Sequence, residues 1–188
     1  MKVSKAQAQE NRALIVRTAS TLFRERGYDG VGVADLMAAA GFTHGGFYKH
    51  FGSKANLMAE AAMAGIQQTA MVNEGIPAAD RIRQYLSREH RDTPGTGCTF
   101  AALSGDASRQ TAAVKAQFAQ GIEAALQEAI SAHPKADEEA LRRARHRRLV
   151  VMAQMVGALV LSRACPDDSS LSDEILDVCR EALLKPVP

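Results

Sequence analysis

The chain is predicted to be all-α, and three observations carry that prediction. No stretch of its 188 residues shows the alternation of β-branched and polar residues that a half-buried strand requires. Apolar residues make up 46% of the chain and alanine is abundant, the composition of a globular helical protein rather than a disordered one. Apolar residues also recur at helical spacing in segment after segment, most of them closed by Gly or Pro. The expected architecture is an N-terminal three-helix domain over residues 1–53 and a larger helical bundle over residues 54–188, about nine helices in all.

Residues 1–10 are polar and expected to fray. A first helix is expected from about Ala6 to Arg26, where Ile15, Ala19, Leu22 and Phe23 recur as i, i+4, i+7 and i+8 and form one buried face. Gly27 stops it. Six of the nine aromatic residues, Phe23, Tyr28, Phe42, Phe47, Tyr48 and Phe51, fall in the first 51 positions. A three-helix domain this small needs large side chains to close its core, so all but Tyr48 read as core residues. The stretch VADLMAAAGFTHGGFYKHFGSK, residues 33–54, reads as two short helices packed across a tight turn. Val33, Leu36 and Met37 face inward, and Ala38, Ala39 and Ala40 let a second helix approach. Gly41 supplies the left-handed turn residue, and Thr43 is placed to cap the next helix through its hydroxyl. That helix, residues 44–51, is polar and aromatic rather than aliphatic. A helix, a Gly turn and a second helix rich in hydrogen-bonding side chains form the pattern of a helix-turn-helix DNA reader. Gly45 and Gly46 each cost a helix about 1 kcal/mol relative to alanine. Two in one short helix point either to close approach of the backbone to DNA or to a helix held by tertiary packing.

Ser53 is expected to cap a fourth helix from Lys54 to about Val72, with Asn56 at the capping-box position and Leu57, Met58, Ala61 and residues 63–66 giving apolar contact on more than one side. Glu74-Gly-Ile-Pro77 breaks the chain. A fifth helix is expected from Ala78 to about Glu89, with Ile82, Tyr85 and Leu86 inward. Thr93–Gly97 reads as a loop, Cys98–Ser108 as a short sixth helix, and Thr111 to Ala132 as a seventh with the stripe Val114, Phe118, Ile122, Leu126 and Ala129, ended by His133-Pro134. The eighth runs from near Asp137 to Ala164. Its acidic start suits the helix dipole, and Glu138–Arg142 and Glu139–Arg143 are i,i+4 pairs. The basic run at 142–148 reads as a solvated face paired with acids rather than a nucleic-acid patch. From Leu149 to Leu161 the helix is apolar on nearly all sides, so it must bury two faces, one in its own bundle and one against a partner. Cys165-Pro166 ends it. Ser170 is expected to cap a ninth helix, with Asp173 at the box position and the stripe Leu171, Ile175, Val178 and Ala182.

Charge is unevenly spread. Residues 1–60 carry eight Lys/Arg against five Asp/Glu, and residues 61–188 carry fifteen against sixteen. A basic head on a near-neutral body is the outline expected when only the head meets phosphate. The N-terminus has no apolar core and reads as no signal peptide, and the longest apolar stretch, Leu149–Ser162, is shorter than the roughly 18 residues a membrane span needs. A soluble, cytoplasmic protein with no membrane segment is expected. Three scattered cysteines, Cys98, Cys165 and Cys179, make neither a disulfide framework nor a zinc spacing. No Gly-rich phosphate loop, HExxH motif or paired-carboxylate site is found, so no enzyme, metal or cofactor is expected. Cys98 sits at or just before a helix N-terminus, a position that marks reactive thiols, or else it is simply a small residue packed at the helix head.

The run GYDGVGVADLMAAAGFTHGGFYKHFGSKANLM closely resembles the N-terminal domain of the TetR/AcrR family of bacterial transcriptional regulators. The matched features are Phe23, Gly27-Tyr28, Ala40-Gly41, Thr43, Gly46, Tyr48, His50-Phe51, Ser53-Lys54 and Leu57, over roughly the first third of the chain. The resemblance implies a homodimeric, ligand-responsive repressor on a pseudo-palindromic operator in double-stranded DNA. In it Thr43, Tyr48 and Lys54 would anchor the phosphate backbone, His44, Gly45 and Lys49 would lie nearest the base edges, and Gly46 would allow close approach. His50 would reach a phosphate or pack against the neighbouring helix. Gly32 stands where the family usually has a Ser or Thr cap, and Ala34 offers no charge, so the first reader helix should make fewer backbone contacts than is usual. The fourth helix would be the lever between ligand and DNA. The implied effector pocket lies among helices four to eight, with Ile66, Tyr85, Phe100, Leu103, Phe118, Ile122, Met152 and Met155 as candidate lining. So few charges suit an apolar or neutral small molecule. Helices eight and nine of two subunits would form a four-helix bundle, with Leu149, Val156, Leu159, Val160, Ile175, Val178 and Ala182 at the interface. Some members of the family sense oxidants or electrophiles through a cysteine in a similar Gly-Cys context, which makes Cys98 the alternative trigger.

Overall fold

Ser4 accepts the Gln7 amide on its hydroxyl at 3.1 Å and so starts the first helix, α1, Lys5–Arg26. The structure, a computed structural model, describes residues 4–131 and 136–185. Those residues form nine α-helices, two short 3₁₀ segments and no strand. After α1 come α2 (Val33–Ala39), a 3₁₀ turn (His44–Lys49), α3 (Lys54–Val72), α4 (Ala78–Tyr85) and α5 (Arg88–Asp92). A second 3₁₀ turn (Pro94–Thr96) leads to α6 (Thr99–Ala107), α7 (Ala112–Ser131), α8 (Glu138–Ala164) and α9 (Ser170–Leu184). The expected end of the seventh helix at His133-Pro134 lies outside the described residues.

The chain forms two compact units. One comprises residues up to Thr69 together with Pro94–Ala119, the other Ala70–Thr93 together with the residues from Gln120 on. This is a division by packing, distinct from the functional division expected at residue 53. In the first unit Ile15, Ala19 and Phe23 of α1 are fully buried with Tyr28, Leu36, Met37, Phe47, Phe51 and Leu57 in one continuous core. Each buried Ile, Leu, Met or Phe side chain among them contributes about 1.5–3 kcal/mol through its burial. Gly27 ends α1 with φ 73° and Gly41 turns the chain between α2 and the 3₁₀ segment with φ 80°, both in the region that L side chains avoid. Of the three alanines expected to face the second helix only Ala40 is buried, while Ala38 and Ala39 are exposed, because α2 turns its Leu36–Met37–Ala40 face inward. Where Gly32 removes a capping hydroxyl, Asp35 compensates: its carboxylate accepts the Gly32 amide at 3.2 Å.

A buried arginine ties α1 to α6. Arg24, 5% exposed, donates to the Gly95 carbonyl from Nε at 2.9 Å and Nη2 at 2.6 Å, and to the Ser20 hydroxyl at 2.9 Å. Its second reach, to the Thr99 hydroxyl at 3.5 Å, is long. Burial lowers its affinity for the proton, opposed by the charges of Cys98 and Glu25. Nearby, the Asp106 carboxylate of α6 accepts the Tyr28 amide at 3.0 Å and holds Arg109 at 2.7 Å.

Three expected elements differ in the second unit. The helix expected over 78–89 is two helices, because Leu86 leaves the helical region at ψ 56° and Ser87 caps a new helix, its hydroxyl accepting the His90 amide at 3.2 Å. Leu86 is inward as expected, but no residue of α4 is fully buried. The ninth helix is preceded by Ser169 rather than capped by Ser170, and Asp173 is drawn away to Arg88 at 2.9 Å. The basic run of α8 is largely paired: Arg143 with Glu139 at 2.6 Å, Arg145 with Glu123 at 2.7 Å through both guanidinium arms, and Arg148 with Glu128 at 3.8 Å. A second buried arginine, Arg91, fastens α5 to the α8–α9 corner through the Ser162 and Cys165 carbonyls and the Asp167 carboxylate at 3.0–3.3 Å. Ser162 and Ser172, both fully buried, hold α8 to α9 at 2.9 Å.

Candidate nucleic-acid interface

The segment expected to read DNA, His44–Lys49, is a 3₁₀ turn, not the α-helix its sequence suggested. The two glycines at 45–46 give an α-helix little support, and the segment is closed by i→i+3 bonds, Gly46 N–H to the Thr43 carbonyl at 2.9 Å and His50 N–H to the Phe47 carbonyl at 2.9 Å. Because the Gly46 amide is already taken by the Thr43 backbone, the expected hydroxyl cap is not formed, and the Thr43 side chain stays exposed. Phe47 and Phe51 anchor the turn from beneath, both buried, with ring centroids 5.5 Å apart. Above them Tyr48 is 67% exposed, its ring edge-on to Phe47 at 5.2 Å and to His44 at 6.4 Å. His44, Gly45 and Lys49 are exposed beside it. One buried face and one presented polar face on six residues are what a reading element requires.

Neither glycine of the turn is required by a steric clash at Cβ or by a positive φ. A Cβ at Gly45 would meet nothing within 4 Å, and one at Gly46 would make ordinary contact with Met37 at 3.5 Å. Neither has positive φ. His50 is half-buried between the rings of Phe42 and Phe51. Lys54 is half-buried as well, and its ammonium donates to the Tyr28 carbonyl at 2.5 Å with the Phe23 ring 6.0 Å away. Ser53 caps α3 as expected: its hydroxyl accepts the Asn56 amide at 3.1 Å and donates to the Asn56 side chain at 2.6 Å.

The other expected sites divide between the units. Phe100, Leu103 and Phe118 pack in the core of the first unit, with Phe100 and Phe118 edge-to-face at 6.0 Å, and Ile66 is half-buried in α3. Tyr85, Ile122, Met152 and Met155 belong to the second, where Tyr85 stacks edge-on against His90 at 4.5 Å. Cys98 is the N-cap of α6 and 6% exposed. On α8 and α9, Leu149, Val160, Val178 and Ala182 are exposed, while Val156 and Ile175 are half-buried. Leu159 is fully buried, turned into its own unit by the helical period; Val150, Leu161 and Leu171 are exposed instead. Among the described residues no group of three His, Cys, Asp or Glu side chains is placed to hold a metal ion, and no helix is long and apolar enough to cross a membrane.

A presented turn on a small helical core, followed by a helical bundle, is a helix-turn-helix architecture. Residues 15–61 match the family model described as bacterial regulatory proteins, tetR family. The transcriptional repressor DhaR of a Mycobacterium species is 27% identical over 110 residues, 55% of this chain and 56% of that protein. The transcriptional regulator TtgR of Pseudomonas putida is 38% identical over 66 residues, 35% of this chain and 31% of that protein. The matched region thus spans about half the length of the first relative and about a third of the second. Among solved structures, a TetR transcriptional regulator from Chloroflexus aurantiacus aligns with 95% of this chain and 94% of its own at a TM-score of 0.70 and 23% identity. E. coli NemR in its reduced form aligns with 93% of this chain and 95% of its own at 0.69 and 20%. These two share the fold.

Proposed function

We propose that the chain is a cytoplasmic, homodimeric transcriptional repressor, with no enzymatic activity of its own, released from a pseudo-palindromic operator by an apolar or neutral small molecule. The observation that carries the DNA reading is the turn itself: Tyr48, Lys49 and His44 stand exposed over buried Phe47, beside a glycine with open space around it. Lys49 and His44 donate to base edges, Tyr48 and Thr43 to phosphates, and Gly45-Gly46 let the backbone come close to the groove. Lys54 serves a phosphate with the ammonium hydrogens not taken by Tyr28, and His50 packs rather than reads. Two subunits joined through the exposed apolar faces of α8 and α9 set two readers about one helical turn, or a small multiple, apart. The effector favours the arrangement that does not fit the operator, and so shifts the population away from DNA.

The test is selection from random duplex DNA followed by binding of variants. Tyr48→Phe is expected to weaken binding to all sequences alike, and Lys49→Ala to change the preference among them. Binding untouched by both would remove residues 44–50 from the interface. The second reading makes Cys98 the trigger. It is supported by the position of the thiol at the head of α6. Under that reading oxidant abolishes a gel shift reversibly, and Cys98→Ser does not respond.

A further inference from the structure

A six-residue 3₁₀ turn does not hold its own shape: such runs are uncommon beyond three or four residues, and their hydrogen bonds are poorly aligned. Something outside the turn must fix where it ends. The side chain that reaches its end comes from α1, 38 residues earlier. Arg12 donates from Nε to the His50 carbonyl at 3.3 Å, at the C-terminal, partly negative end of the turn. Its guanidinium carbon lies 4.7 Å above the Phe51 ring. Its two remaining arms form a fork with Glu60 of α3, Nη1 to Oε2 at 2.5 Å and Nη2 to Oε1 at 2.6 Å. One planar cation therefore joins α1, the 3₁₀ turn and α3, and all three of its nitrogens have partners within the chain, at a surface position where the Arg12 and Glu60 side chains are 41% and 37% exposed.

We infer that Arg12 and Glu60 are positioning residues for DNA recognition, a brace that sets the direction in which the reader turn presents Tyr48 and Lys49. This rests on residues 44–50 being the reader. Hydrogen bonds to base edges need donor and acceptor within about 2.7–3.2 Å and well aligned, so a small rotation of the turn removes them. Attraction to phosphate depends on charge and tolerates such a rotation. The brace therefore acts on specificity, not on affinity for DNA in general. Because Glu60 neutralises Arg12, the pair can be removed without changing the net charge of the head.

The experiment uses the full chain and the duplex sequence that the wild type selects from a random pool. The double variant R12M/E60Q keeps the net charge and the aliphatic stem over Phe51 but removes the fork and the bond to His50. Its affinity for the selected sequence is expected to fall about tenfold or more, the size of one lost base-pair contact, while affinity for unrelated duplex stays within about twofold. The salt dependence of binding stays the same. The single variant E60Q, isosteric and still able to accept from Arg12, shifts the ratio of specific to unrelated binding in the same direction by less, and carries the test should the double variant not fold. An unchanged ratio in folded protein overturns the inference. So does an R12M variant whose salt slope falls by about one with both affinities reduced alike, since Arg12 is then a phosphate contact. A wild type that selects no sequence removes the reader itself, and a wild type that selects one while the brace variants match it removes only the brace.

Discussion

The buried side chains of the first unit carry polar atoms whose partners decide what each residue is for. Tyr28 is fully buried against Phe23 at 5.1 Å, and its hydroxyl has no hydrogen-bond partner among the described residues. Burial and the Asp106 carboxylate both push its ionisation upward, so it stays a neutral phenol. Leaving such a donor unsatisfied costs about 1–3 kcal/mol, so Tyr28→Phe is expected to raise the thermal midpoint, measured by calorimetry, with DNA binding intact. Gly65 of α3 stands where a Cβ would collide with Arg24, Thr99 and Ser20 together. Gly65→Ala is expected to destabilise by about 1–3 kcal/mol in denaturant titration despite the better helix propensity of alanine. In the second unit His90 donates from Nδ1 to the Tyr85 carbonyl at 2.7 Å, which fixes its neutral tautomer. Burial lowers its proton affinity, the bond to Tyr85 opposes this, and Arg163 adds to the lowering. The folded value lies below the unfolded 6.5, so the contribution is whole above that pH and is lost as pH falls from about 6.5 to the folded value. His90→Asn, which keeps a donor toward Tyr85, is expected to flatten the stability–pH curve in that window.

At the scale of elements, the helices with strong periodicity were legible and those defined by local hydrogen bonding were less so. The first helix shows its buried face as Ile15, Ala19 and Phe23, and Gly27 and Gly41 announce their turns, because burial and positive φ leave marks in residue type. The break between α4 and α5 left a fainter mark. Ser87 is a competent cap, yet Ile82, Tyr85 and Leu86 continue the period across it, and it is the buried docking of Leu86 and Arg91 that settles the outcome. Ser87→Ala is expected to cost about 1 kcal/mol, with the loss concentrated in hydrogen-exchange protection of α5. The segment 44–49 was legible as an element of its own after the Gly41 turn, but not as 3₁₀, since its glycines signal weak helix without saying which alternative replaces it. Asp35 could have been read from its place three residues after Gly32. Arg12 and Glu60 could not: they lie 48 positions apart, and nothing in the sequence pairs them.

The whole molecule has two kinds of surface to account for. One is the presented reader; the other is the apolar strip of Val150, Val160, Leu161 on α8 and Leu171, Val178 on α9, each between 44% and 63% exposed in the single chain. A strip of that kind on a soluble monomer marks an interaction site. Leu161→Glu with Val178→Glu is expected to halve the mass in sedimentation and to lower operator affinity about a hundredfold or more, because two linked readers gain from effective concentration what one loses. The empty space at Gly45 bears on the same molecule from the other side. A Cβ there touches nothing within 4 Å, so the fold leaves room for a side chain at that position. Under the proposed function, changes at 45 act on DNA preference rather than on the packing of the chain, and a library of side chains at this one address re-tunes the sequence that is preferred.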